Sequence, residues 1–443
     1  MKRILKNIVM GLLVVSLSAC DTEFSNPNQP NEENAYNSLA GFYAVCVGLR
    51  THYSVTSLRY VIYVPGVTTR EIGTTSTYQT PMDLTYGSTS LTNINTGVGS
   101  LWSALLKDKG QAEDLIGNVE SITMEDGTRN GILAFAKYFK ALTLCNLYQN
   151  FEEAPLMNSA DGDAEFSDFD AGMAEIVSLL TEAKSAVASG LSSDFISNVM
   201  GNIDLESCID ALLSRAYLYQ GDYTSCISTA QGIDLTMTST FSYDNENYNP
   251  VYDFAVNGSP YLFPKDNFGL KGDYIPADGD GRYDFYLAAP DTVELAELGG
   301  ATMKQIKGFF STYSSEIPVY LPGEVLLNIS EAYARSGQLT QAVTYLNEVL
   351  TKTNDVYGVE AGLEDQTDYL SSLSQADLLE EIYKNRCIEL FFTGQRLADS
   401  RRFHPDLVIT SGTDLTSERN RNYYPYPQEE RDNNPNCPED PEI

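Results

Sequence analysis

Apolar residues recur at helical spacing in separate blocks along the chain, at about 34–50, 98–118, 129–149 and 169–189. The block at 129–149 contains GILAFAKYFKALTLCNLYQ, a helix pattern apolar on most sides and therefore buried. Asp204 can cap a further helix running to about Tyr219, and Gly221-Asp222 then turns the chain into a second helix from about Tyr223. The segment from Pro322 repeats that design. Aligned on Gly221 and Gly337, Tyr217 matches Tyr333, Cys226 matches Ala342 and Ala230 matches Leu346. A tyrosine four residues before the glycine and a small residue five after it make the tetratricopeptide helix-turn-helix pattern. The small position is where two helices cross closely, which gives Cys226 a packing role. Ser374-x-x-Asp377 opens a last helix expected over about 375–402.

Two stretches, 51–97 and 234–320, lack helical period and are rich in Tyr, Thr, Gly, Asn and Pro. Loops of that length in a compact domain are commonly functional. The expected fold is mainly α: a tetratricopeptide-like helical scaffold, with repeats at about 98–233 and 321–403, long loop-rich elaborations and few short strands.

The N-terminus adds an address. Lys2, Arg3 and Lys6 precede an apolar run from Ile8 to Leu17, which ends in Leu17-Ser18-Ala19-Cys20. That order reads as a secretory leader over 1–19, because roughly 20 apolar residues are needed to span a bilayer. Leu-Ser-Ala-Cys resembles the bacterial lipobox, so Cys20 is the expected lipid attachment point and 20–31 a polar, proline-interrupted tether. No later stretch is apolar and long enough to span a membrane.

Charge excludes one class of partner. The chain carries −33, which becomes −36 once the three basic residues leave with the leader, so nucleic-acid binding through a basic patch is not expected. Apolar residues at 42% are ample for a core, which separates this acidity from disorder. Cys46, Cys145, Cys208, Cys226, Cys387 and Cys437 show no C-x-x-C spacing and read mostly as buried thiols. With His52 and His404 as the sole histidines, a His-rich zinc site is impossible. His404 precedes Pro405, at a helix end. Asp278-Gly-Asp280-Gly281 looks loosely like a calcium loop but lacks the closing Glu.

Several segments together resemble the SusD/RagB lipoproteins of Bacteroidetes over nearly the whole chain. NPNQPNEENAYNSLAGFY is similar to that family's start, and GSLWSALLKDKGQAEDLI and AKYFKALTLCNLYQNFEEAPL to two of its helices. NRCIELFFTGQRLADSRRF resembles the family's R-x-x-E-L-x-x-E-G-x-R-x-x-D-L-x-R, with Arg386, Glu389, Leu390, Gly394, Arg396, Asp399 and Arg402 on matching positions. Thr393 and Ser400 depart from it. Read from the residues, Arg386/Glu389 and Arg396/Asp399 are i,i+3 pairs on one helix, structural rather than catalytic.

The resemblance implies one SusD-like domain over 32–443, lipid-anchored at the surface of a cell outer membrane. It implies a protein that is no enzyme, needs no cofactor or metal, and captures a nutrient for a SusC-like TonB-dependent transporter. The expected cargo is an oligosaccharide, with a peptide as the alternative; a surface glycosidase and an assembly subunit that binds no soluble ligand are the other readings. Sugar rings stack on aromatic faces while their hydroxyls pair with polar side chains. The chain has 29 tyrosines and one tryptophan. Tyr78, Tyr86, Tyr243, Tyr248, Tyr252, Tyr261, Tyr274, Tyr283 and Tyr286 fall in the irregular stretches. Arg70, Tyr78, Tyr261 and Tyr283 are the expected ligand contacts, and Trp102 is expected to pack in the core.

Overall fold

The computed structural model describes residues 35–289, 302–409 and 417–443. The leader, Cys20 and the tether lie outside the described residues. The longer helices are α1 Leu39–His52, α2 Leu58–Thr68, α3 Gln79–Tyr86, α4 Thr96–Asn118, α5 Asp126–Asn150, α6 Phe169–Ala188, α7 Leu205–Gln220 and α8 Tyr223–Ala230. They continue with α9 Pro250–Ala255, α10 Gly281–Tyr286, α11 Pro322–Arg335, α12 Leu339–Thr351, α13 Gln375–Glu389 and α14 Arg396–Phe403. Side-chain caps set several starts: the side chains of Asn95, Asp168, Asp204 and Ser374 each accept a backbone N–H of the first turn. Such a cap contributes about 1 kcal/mol.

Successive helices pack side by side, α4 on α5, α5 on α6, α6 on α7, α7 on α8, then α8 on α11 and α11 on both α12 and α13. This is the expected helical scaffold. The glycines at the two repeat turns, Gly221 and Gly337, sit at φ 78° and 75°, a left-handed conformation that other residues reach only with strain. Cys226 and Ala342 are fully buried at the helix crossings. All six described cysteines are free thiols, and Cys437 is half-buried. Trp102 is 3% exposed, stacked parallel on Phe166 at 5.8 Å and edge-on to Phe151 and Tyr426.

Strands are short and pair two by two, all antiparallel. β1 Ile72–Thr74 pairs with β5 Leu262–Pro264, and β2 Ala154–Pro155 with β3 Phe166–Ser167. β4 Thr240–Phe241 pairs with β8 Ile317–Pro318, and β6 Leu287–Ala288 with β7 Gln305–Ile306. β1–β5 joins the first irregular stretch to the second, while β4–β8 and β6–β7 close within the second.

Three expectations need correction. Residues 51–68 are helical: a widened turn at Tyr53–Ser57 links α1 to α2. Every residue of α2 from Val61 to Thr68 is buried, so no polar face marks its period. The helix expected over 375–402 is two, because Leu390–Gln395 breaks it, with Phe392 at φ 58° and Gly394 at φ 82°. At Gly394 a Cβ would lie 2.4 Å from the Val61 carbonyl oxygen, so the turn also presses against α2.

The third follows from that break. α14 folds back on α13, and the i,i+3 pairs give way to pairs between elements. Arg386 bonds Asp399 at 2.8 and 3.1 Å, Arg396 faces Glu71 at 3.6 Å, and Glu389 meets Arg282 at 3.3 Å and Lys352. Arg402 does pair with Asp399, at 2.7 Å, and with Glu331. The Asp278–Asp280 turn is part of the same network: Asp280 holds Arg282 through both carboxylate oxygens, at 2.9 and 2.6 Å.

Candidate ligand-binding site

Tyr78 is the most exposed tyrosine ring in the first irregular stretch, 69% accessible, and stands just ahead of α3. The strand pair β1–β5 brings Tyr261 to it. Thr75 N–H and the Thr74 hydroxyl both donate to the Tyr261 carbonyl, at 2.9 and 3.1 Å. The two rings meet edge to face, centroids 5.9 Å apart at 82°. Beneath them lies a cavity of about 240 Å³.

Its floor comes from α2, where Arg59, Tyr60 and Tyr63 face one way, and from Phe254 of α9. The hydroxyl side chains of Thr80, Thr96 and Ser100 supply the opposite wall, with Thr80 and Thr96 bonded to each other at 2.6 Å. Arg59 lies 5.8 Å from the Phe254 ring centroid and ion-pairs with Asp253 on the outer side of α9. Aromatic faces beside hydroxyls and one guanidinium suit a polyol that is apolar on its ring faces and polar at its rim.

Two residues before Phe254 on α9, Tyr252 belongs to a second aromatic group. Tyr252 meets Tyr248 and Tyr313 with centroids 6.4 Å apart in both cases, and Tyr248 and Tyr313 lie 5.6 Å apart. Tyr248 and Tyr313 are 36% and 43% exposed. Fully buried Asn249 holds the group together. Its side-chain amide donates to the carbonyls of Phe309 and Ser315, both at 2.8 Å, and its backbone N–H donates to the Tyr313 carbonyl. Asp253, the ion-pair partner of Arg59, lies along α9 between Tyr252 of this group and Phe254 of the cavity.

Of the four expected contacts, the structure brings two together, Tyr78 and Tyr261. Arg70 is 3% exposed at φ 71°, and its guanidinium donates to the carbonyls of Thr85 at 2.7 Å and Ser417 at 3.1 Å. Tyr283 sits apart, donating to Asp266 at 2.7 Å and packed edge-on against Phe268. Tyr243 and Tyr286 are core residues, and Tyr274 donates to Glu380 at 2.5 Å. Arg59, Tyr60, Tyr63 and Tyr313 were not expected. The i,i+3 spacing of Tyr60 and Tyr63 was their one signal in the sequence. Among the described residues no group of three or more His, Cys, Asp or Glu is placed to hold a metal ion.

Comparison with known proteins bears on the scaffold. Residues 305–439 match the model of the SusD family, SusD_RagB. Over that segment the chain is similar to the SusD family. The rest of the chain shares the fold of solved SusD superfamily structures. One, a SusD superfamily protein from Bacteroides thetaiotaomicron, is 17% identical, with 93% of this chain and 100% of that chain covered at a TM-score of 0.65. B. fragilis NanU is 16% identical over 94% of this chain and 99% of that chain, TM-score 0.67. A SusD-like carbohydrate binding protein from Bacteroides vulgatus is 17% identical over 83% of each, TM-score 0.62. No curated protein matches the chain. The SusD segment holds α11 to α14, whereas Glu71, Asp280 and Arg282 of their ion-pair network lie ahead of it, as do Tyr78, Tyr261 and the floor of the cavity.

Proposed function

We propose that this chain is a nutrient-capture protein that binds an oligosaccharide across the Tyr78/Tyr261 cavity and the neighbouring Tyr248/Tyr252/Tyr313 platform. It would hand that ligand to a TonB-dependent transporter in an outer membrane to which lipid on Cys20 anchors it. One observation carries the reading: the exposed Tyr78 ring and Tyr261, brought together by β1–β5, border a cavity lined with hydroxyls. The SusD fold and the carbohydrate-binding relative of that fold support it. The lipobox-like Leu17-Ser18-Ala19-Cys20 supports the anchor.

The arrangement favours binding over catalysis. No carboxylate among the described residues lines the cavity, and Asp253, the partner of its Arg59, is also held by the Asn257 amide at 3.1 Å. A glycosidase needs two carboxylates flanking one bond.

A glycan array followed by calorimetry tests the reading. A neutral oligosaccharide should bind, and Tyr78→Ala and Tyr261→Ala should each weaken it about tenfold, the effect of losing roughly 1.4 kcal/mol of ring contact. Binding of peptides alone, or glycan affinity untouched by both changes, would overturn the cargo assignment. The partner is tested separately: a TonB-dependent barrel should co-purify with the tagged protein, and Cys20→Ser should release the protein from the membrane fraction.

A further inference from the structure

A second cavity, of about 210 Å³, opens where the ends of α5 and α7 meet the start of α6, α14 and the segment carrying Tyr423. It shares no lining residue with the tyrosine cavity. Tyr148, Phe169, Tyr219 and Tyr423 wall it, and Arg401 and Arg402 supply its charge.

Arg401 is held in place on three sides. Nη1 donates to the carbonyls of Gln149 and Asn422 at 2.9 and 2.8 Å, and Nη2 donates to that of Tyr148 at 3.3 Å. Its guanidinium carbon stands 4.0 Å from the centroid of the Tyr423 ring. These bonds fasten the end of α5 to the C-terminal segment, which is a structural role. They use three of five donors, and they neutralise nothing: no carboxylate among the described residues pairs with Arg401, in a chain with 61 acidic residues. Arg402 pairs with Asp399 and Glu331, yet its Nε is buried without an acceptor. Its guanidinium lies 5.3 Å from the Tyr219 ring, and the Gln149 amide fixes that ring by donating to the Tyr219 hydroxyl at 3.1 Å.

A preformed guanidinium fork matches a carboxylate. An apolar cavity of roughly 150 Å³ accommodates benzene, so this one has room for an arene with a carboxylate attached. We propose that the cavity is a second ligand site, taking a carboxylate joined to a flat apolar group, with Arg401 pairing the carboxylate and the four aromatic rings enclosing the rest. Burial pushes Arg401 below the ordinary guanidinium range and Arg402 down to about 10, and a bound anion offsets the cost of burying them. The ligand is either a free aromatic acid or the C-terminal residue of a peptide, since both present the same two groups.

Calorimetry on the full chain tests the site, with phenylacetate, phenylacetamide, and Gly-Gly-Phe with a free or an amidated terminus as probes. Phenylacetate should bind at least about tenfold more tightly than the amide, because the charge-assisted pair is lost in the amide. Arg401→Gln should erase that preference. Arg401→Lys, which keeps the charge, should retain part of it and guards against misreading a folding defect. Tyr423→Leu should weaken acid and amide alike. Tighter binding of the free-acid tripeptide than of phenylacetate assigns a peptide end, and the reverse assigns a free acid. No binding of any of these acids up to on the order of 10 mM overturns the proposal. So does equal binding of acid and amide, or a preference that survives Arg401→Gln.

Discussion

Glu389 shows what a single residue does here. Its carboxylate is fully buried, faces Arg282 at 3.3 Å and also pairs with Lys352. A buried pair of this kind adds little net stability, because desolvation offsets the Coulomb gain, but removing one partner strands the other charge. Here Asp280 still pairs with Arg282 and Asp355 with Lys352, so Glu389→Ala should cost less than a stranded charge would, about 1–3 kcal/mol. Urea unfolding would show this as a lower midpoint at unchanged slope, and a loss under about 1 kcal/mol would mean that Asp280 and Asp355 alone satisfy Arg282 and Lys352. Glu389 was legible in the sequence as a structural acid but not its partners. Arg282 and Lys352 lie far away along the chain, and spacing on one helix pointed to Arg386 instead.

At the scale of elements, the junction of α13, α14 and the segment after residue 416 depends on His404. Its Nδ1 lies 2.8 Å from Glu418, and its Nε2 lies 3.0 Å from Glu380. The bond to Glu418 is the main reason its pKa is raised. A raised folded pKa means that the stabilisation is fully present below the unfolded value, near 6.5, and is lost as pH rises through the folded value. Burial disfavours the charged form of Glu418, but its bonds to His404 and Ser400 outweigh that and lower its pKa, so its own contribution is lost only as pH falls through the acid range. His404→Gln should therefore lower the melting temperature more at pH 6 than at pH 9, as differential scanning calorimetry can show. An equal loss at both values would mean that the ring acts through packing against Tyr383. The element boundaries themselves were largely legible: caps at Asp204 and Ser374 and the turn glycines Gly221 and Gly337 fell where expected. α2 was missed because Val61–Thr68, buried without a break, shows no amphipathic period.

For the whole molecule, the dominant physical fact is a net charge of −33. Self-repulsion on that scale destabilises a compact chain, and salt screens it over about 10 Å at 0.1 M. The melting temperature at pH 7 should rise between low salt and about 0.15 M sodium chloride. A fall would mean that the buried and half-buried ion pairs outweigh the surface repulsion. The same acidity makes a neutral ligand the better match for the tyrosine face, and it makes the Arg401 cavity, cationic in an acidic protein, the chemically unusual place on the molecule.

The order of elements was decided by the sequence alone. Helical period, turn glycines, capping residues and the spacing of Arg386, Glu389, Gly394, Arg396, Asp399 and Arg402 are local signals, written over a few residues and readable without knowing what lies opposite. Which tyrosines form a face was decided by tertiary structure. Tyr78 and Tyr261 are 183 positions apart and meet because β1 pairs with β5, while Tyr286, in the same kind of sequence, lies at the centre of the core. A residue type carries its chemistry wherever it stands, but whether its ring reaches solvent or packs inside depends on neighbours from distant parts of the chain.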